Sequence, residues 1–104
     1  MRGDVHEITL PSGRGHVQSG RRYAVVLQSD DLPLSTVIVA PTSTAARPTV
    51  FRPQIIVKDQ ATLVLVEQAA AVDQQKLGRH VGVLSVRELA DVNAALRLVL
   101  ALDR

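Results

Sequence analysis

Apolar residues in this chain come in short runs rich in Val and Ile, most of them closed within a few residues by Pro, Gly or Asp. That punctuation leaves room for strands and for little else. Residues 4–10 alternate, with His6, Ile8 and Leu10 on one face and Val5, Glu7 and Thr9 on the other, and predict a first strand. A second covers 22–28 around the continuous apolar centre Ala24-Val25-Val26-Leu27, before the turn residues at 29–33. The β-branched run 36–40 predicts a central third strand that stops at Pro41 and delivers the hydroxyls of Thr42, Ser43 and Thr44. Two more strands are expected at 54–58 and 62–66 about a turn at 59–61, with 45–53 as an exposed basic loop or edge. Short strands with short connections predict a small barrel.

One helix is expected. Ser85 followed by Glu88 forms a capping box, and Leu89, Val92, Leu96, Val99 and Leu100 recur on one stripe. A single helical turn is expected over 73–77, stopped near Gly78. The fold class is therefore mainly β with a C-terminal helix, and 104 residues make one domain, 1–104, with one core.

Composition narrows what such a domain can do. Aromatics make up 2% of the chain, only Tyr23 and Phe51, so it has neither a base-stacking platform nor the aromatic groove that proline-rich ligands need. Ten of the twelve basic residues are Arg, whose planar fork suits phosphate and carboxylate. There is no Cys, hence no disulfide framework, thiolate metal site or cysteine nucleophile. His6, His16 and His80 lack ligand spacing, and no metal or cofactor is expected. No apolar run approaches the length of a membrane span, and the N-terminal residues are polar and then alternating; the expected location is the cytoplasm, with no membrane partner.

Chemistry concentrates in the loop before the second strand, where Gly13, Gly15 and Gly20 accompany Arg14, His16, Arg21 and Arg22. Glycine lets backbone N–H groups approach a ligand, and arginine donates paired hydrogen bonds to phosphate oxygens. Three clusters at predicted strand ends could converge on one barrel mouth: His16 with Arg22, Ser43 with Thr44, and Glu67 with Gln68. Taken singly, each also reads as ordinary structure, a solvated flank, a hydroxyl-capped turn and a strand terminus.

In register, these residues resemble the MazF/PemK (Kid) toxins of bacterial toxin–antitoxin systems. The motifs are Arg2-Gly3-Asp4-Val5 and Gly15 through Tyr23 leading into an aliphatic strand. They continue with Thr36 through Thr44, Glu67-Gln68 through Leu77, and Gly82 through Leu96. The resemblance implies an SH3-like small barrel, a homodimer, and a metal-independent endoribonuclease acting on single-stranded RNA. It implies a cognate antitoxin whose acidic, disordered C-terminal tail blocks the groove.

Carried over by position, the family's catalytic arginine is Arg22, its threonine is Ser43, its loop histidine is His16, and its acid before glutamine is Glu67. Arg14, Arg21, Arg47 and Arg52 form a basic track for RNA or for an acidic peptide, joined by Thr44 and Gln68. The chain departs from the family at three points: Val17 replaces the loop glutamate, Tyr23 a proline, and Ala70 an arginine. Cleavage would proceed by attack of the ribose 2′-hydroxyl on its own phosphate, with His16 and Glu67 as the candidate proton carriers. The alternatives are a non-enzymatic, gyrase-directed toxin on the same barrel and an SH3-like binding module.

Overall fold

The computed structural model describes residues 1–10 and 20–103. Seven antiparallel strands and a helix follow in the order β1 (Asp4–Leu10), β2 (Gly20–Val26), β3 (Thr36–Ser43), β4 (Gln54–Val57), β5 (Gln60–Val64), β6 (Ala70–Asp73), β7 (Leu77–Val83) and α1 (Val86–Leu100). Turns of 3₁₀ helix at Val66–Gln68 and Gln74–Lys76 flank β6. The sheet order is β4-β5-β3-β2-β1-β7, with β6 also on β3. It curls into the half-barrel form of the expected small barrel.

Strand β2 shows why its apolar run is unbroken. Val25 and Leu27 enter the larger core with Val5, Ile55, Val64 and Val92, under α1. Ala24 and Val26 enter a second core with Ile8, Val37 and Val39 on the other face. A strand covered on both sides loses polar alternation. β1 is likewise two-sided, since Val5 and Ile8 are both buried.

Strand β3 runs through Pro41 rather than stopping there. On one side it pairs with β2, through Val39, Ala40 and Pro41. On the other it pairs first with β6, at Thr36 to Val39, and then with β5, at Thr42 and Ser43. Pro41 occupies the changeover, where its carbonyl accepts from Leu65 N–H (2.9 Å). Its missing N–H therefore interrupts no ladder. Strands β6 and β7 were not anticipated. β6 has the weakly patterned sequence Ala70-Ala71-Val72-Asp73 and β7 is exposed along most of its length. Pairing with β3 and β1, rather than local pattern, makes them strands. The β1–β7 register also sets His6 opposite His80, their rings edge to face at 5.2 Å.

The β4–β5 hairpin turns on Lys58 and Asp59, one position before the expected turn, because Val57 pairs with Gln60. Both turn residues are left-handed, with φ of 49° and 64°, the backbone that matches the twist of a two-residue hairpin and favours Asn-Gly. Replacing Lys58-Asp59 by Asn-Gly is expected to stabilise the protein by about 1 kcal/mol, read from urea denaturation midpoints.

The capping box forms as expected. Ser85 Oγ accepts from Glu88 N–H (3.0 Å), and Glu88 Oε1 accepts from Ser85 N–H (2.8 Å). Glu88 Oε2 also accepts from Ile56 N–H (2.8 Å), so one carboxylate caps the helix and holds edge strand β4. Glu88→Ala is expected to cost about 1–2 kcal/mol in chemical denaturation, more than Ser85→Ala at about 1 kcal/mol. Along α1, Val92 and Ala95 are buried, while Leu89, Leu96 and Val99 pack at the core margin. Leu100, expected on the stripe, is 59% exposed in the last turn. No helix among the described residues is long and apolar enough to cross a membrane.

Arg2 and Gly3 have structural work. Arg2 Nε donates to Leu27 O (2.9 Å) and Nη2 to Asn93 Oδ1, tying the end of β2 to α1. Gly3 has φ of 89°, and its N–H donates to Val26 O (2.8 Å).

Candidate functional site

The strands converge on a cleft of about 210 Å³ lined by Glu7 of β1, Arg22 and Tyr23 of β2, Thr42 and Ser43 of β3, Thr44 just beyond it, and Thr62 of β5. The register explains the assembly. Glu7 lies opposite Tyr23 and Ile8 opposite Arg22 across β1 and β2. Ser43 lies opposite Leu63 across β3 and β5, which brings Thr62 alongside.

Hydroxyls make the buried wall. Thr42, Ser43 and Thr62 are all buried, Ser43 to 1% exposure. Thr42 Oγ1 donates to Tyr23 O (3.3 Å), and Ser43 Oγ accepts from Ala45 N–H (3.1 Å) in a turn that ends β3. Buried hydroxyls fixed this way keep one geometry. Arg22, half-buried, adds a guanidinium with a planar fork of donors. Permanent cation and hydroxyl donors together suit an oxyanion, above all a phosphate.

Of the three predicted clusters, the structure brings together Arg22 with Ser43 and Thr44. Glu67 and Gln68 do not line the cleft. They lie on the 3₁₀ turn after β5, where Glu67 Oε2 accepts from Arg52 Nε (2.9 Å) and Nη2 (2.6 Å). Arg52 Nη1 donates to Arg47 O (2.9 Å), and its guanidinium lies 5.6 Å from the centre of the Phe51 ring. The Arg52 fork, expected on the basic track, is thus engaged in bracing the 45–53 loop against this turn. Arg47 and Thr44 are exposed. His16 and Arg14 lie outside the described residues, as does Val17, and of Arg21 the backbone alone is described, in β2.

Sequence reasoning missed Glu7, Thr42 and Thr62 as cleft residues. Glu7 carried a signal: it shares a face with Val5, which is buried, so an apolar residue would be the default there.

The model of the PemK-like, MazF-like toxins of type II toxin–antitoxin systems matches residues 1–100. The chain belongs to this family. A candidate toxin of Mycobacterium tuberculosis is 48% identical over 69 residues, and the match spans 65% of this chain and 65% of that relative's length. Solved MazF-type structures share the fold. A mycobacterial endoribonuclease in complex with its cognate antitoxin superposes with a TM-score of 0.82 at 17% identity, over 98% of this chain and 95% of that one. The Mycobacterium tuberculosis toxin MazF-mt6 gives 0.79 at 18% identity, over 94% and 96%. MazF of Deinococcus radiodurans gives 0.80 at 20%, over 95% and 94%. In this member of the family the two positions matched to the family's arginine and threonine, Arg22 and Ser43, both line the cleft.

Proposed function

We propose that this MazF-like toxin is a metal-independent, sequence-specific endoribonuclease that cuts single-stranded RNA, messenger RNA first and ribosomal or transfer RNA as further substrates, and so arrests translation and growth. The observation that supports it is the meeting of Arg22 with Ser43 and Thr42 in one cleft. The ribose 2′-hydroxyl attacks its own phosphate, and the 5′-oxygen leaves opposite to it. The products are a 2′,3′-cyclic phosphate and a free 5′-hydroxyl. Arg22 neutralises charge building on the phosphorane, and Ser43 donates to the same oxygens. His16 serves as a proton carrier, since imidazole both accepts and donates near neutrality. Glu67, the other carried-over acid, would have to release the Arg52 fork to act in the cleft.

The toxin acts in the cytoplasm as a homodimer, and its antitoxin blocks the cleft with an acidic, disordered C-terminal tail. Arg14, Arg21 and Arg47 guide RNA along the rim, with contacts from Thr44 and Gln68. If this track neutralises about three phosphates, raising salt from about 50 to 200 mM lowers RNA affinity roughly 20-fold. An affinity indifferent to salt, measured by fluorescence anisotropy on a labelled oligonucleotide, would remove the track.

The decisive experiment is incubation of purified protein with a long RNA in EDTA. Discrete fragments ending in cyclic phosphate are expected. A strict requirement for Mg²⁺, or intact RNA alongside inhibited gyrase, would overturn the reading.

A further inference from the structure

We propose that Glu7, on β1, is the group that accepts the proton of the attacking ribose 2′-hydroxyl. The inference rests on the ribonuclease reading above and deepens it. Attack by a 2′-hydroxyl needs a base within hydrogen-bond reach, and among the described residues Glu7 is the one carboxylate lining the cleft that holds Arg22 and Ser43. Glu67 is elsewhere, with both Arg52 donors on its Oε2.

The position of Glu7 is costly for folding. Val5, two residues earlier on the same face, is 2% exposed, and the Glu7 side chain itself is only 13% exposed. Tyr23, directly opposite, packs against the main core. An apolar side chain would complete this row at no desolvation cost. A carboxylate there, at the end of a core row and opening into a cleft of cation and hydroxyls, is a local conflict of the kind that marks functional positions.

Arg79 Nε, on β7, lies 3.6 Å from Glu7 Oε1, and Arg79 is 70% exposed. That contact is screened by solvent and is weak on its own. In the step itself, the 2′-O–H proton passes to the Glu7 carboxylate as the 2′-O–P bond forms. The P–O5′ bond breaks, the leaving oxygen takes its proton from the proton carrier His16, which is reprotonated by solvent, and Glu7 returns its proton to solvent.

The test compares wild type, Glu7→Gln, Glu7→Asp and Arg22→Ala in single-turnover cleavage of a labelled RNA in EDTA across pH, with a thermal melt of each. Glu7→Gln is expected to lower the cleavage rate about 100-fold, to leave RNA affinity within about threefold, and to lose the acid-side limb of the pH profile. Glu7→Asp should recover at least about tenfold of that loss with the limb restored. Glu7→Gln cleaving at wild-type rate, or slowed with the acid limb unchanged, overturns the inference while the nuclease stands. Should Glu7→Gln not fold, Glu7→Asp decides: slowed about tenfold with the limb kept supports the base, and a wild-type rate overturns it. RNA left intact by the wild type overturns the ribonuclease reading itself, and this inference with it.

Discussion

Arg22→Ala is expected to reduce RNA cleavage about 1,000-fold while the protein remains folded. The size follows from what a preorganised donor does for a developing phosphorane: one lost charge-assisted donor costs on the order of 100- to 1,000-fold in rate. Arg22 adds a permanent charge, which places it at the upper end. Its folding role is small. It is half-buried on β2, and the rows it neighbours, Ala24 with Val26 and Val25 with Leu27, are complete without it. The melt of Arg22→Ala should therefore lie within about 3 °C of wild type, a shift of well under 1 kcal/mol. Wild-type cleavage by this variant would remove Arg22 from the mechanism.

Ile55→Ala should behave in the opposite way. Ile55 is 1% exposed on β4 and belongs to the core that α1 covers. Truncation to Ala is expected to cost about 3 kcal/mol, because the lost transfer energy is joined by a cavity the curled sheet cannot collapse. For a domain of this size that lowers the melting temperature by about 15 °C. Below its new transition the variant should cleave at nearly the wild-type rate, since β4 contributes no side chain to the cleft. A melting temperature within about 5 °C of wild type would show that the hairpin is loosely packed on the core.

Legibility differed by element, for physical reasons. The capped helix and the two-sided strand β2 carry their own signals, a Ser-x-x-Glu box and an unbroken apolar run, and both form where expected. β6 and β7 have no such signal. Ala70-Ala71-Val72-Asp73 becomes a strand because β3 offers an edge, and that information is non-local. The end of β3 was misplaced for a similar reason: whether proline breaks a ladder depends on which neighbour would have received its N–H.

The site shows the same division. Arg22, Ser43 and Thr44 sit beside apolar runs that sequence pattern locates, and they meet. Glu67 stands where the motif puts it, but the Arg52 that holds it comes from a loop whose path could not be read. Glu7 was visible only as the polar member of a face whose burial was unknown.

The threefold pairing of β3 bears on the order in which the molecule is built. β3 meets β2, β5 and β6, and the last of these ends at Asp73. Before that residue has been synthesised, Thr42 and Ser43 lie on a strand with a missing neighbour. Contacts of such long sequence separation fold slowly, in the millisecond-to-second range. A nascent chain therefore carries Arg22, Thr42 and Ser43 well before β3 has its full set of neighbours, and the sheet that supports the cleft is completed only once Ala70–Asp73 has joined it.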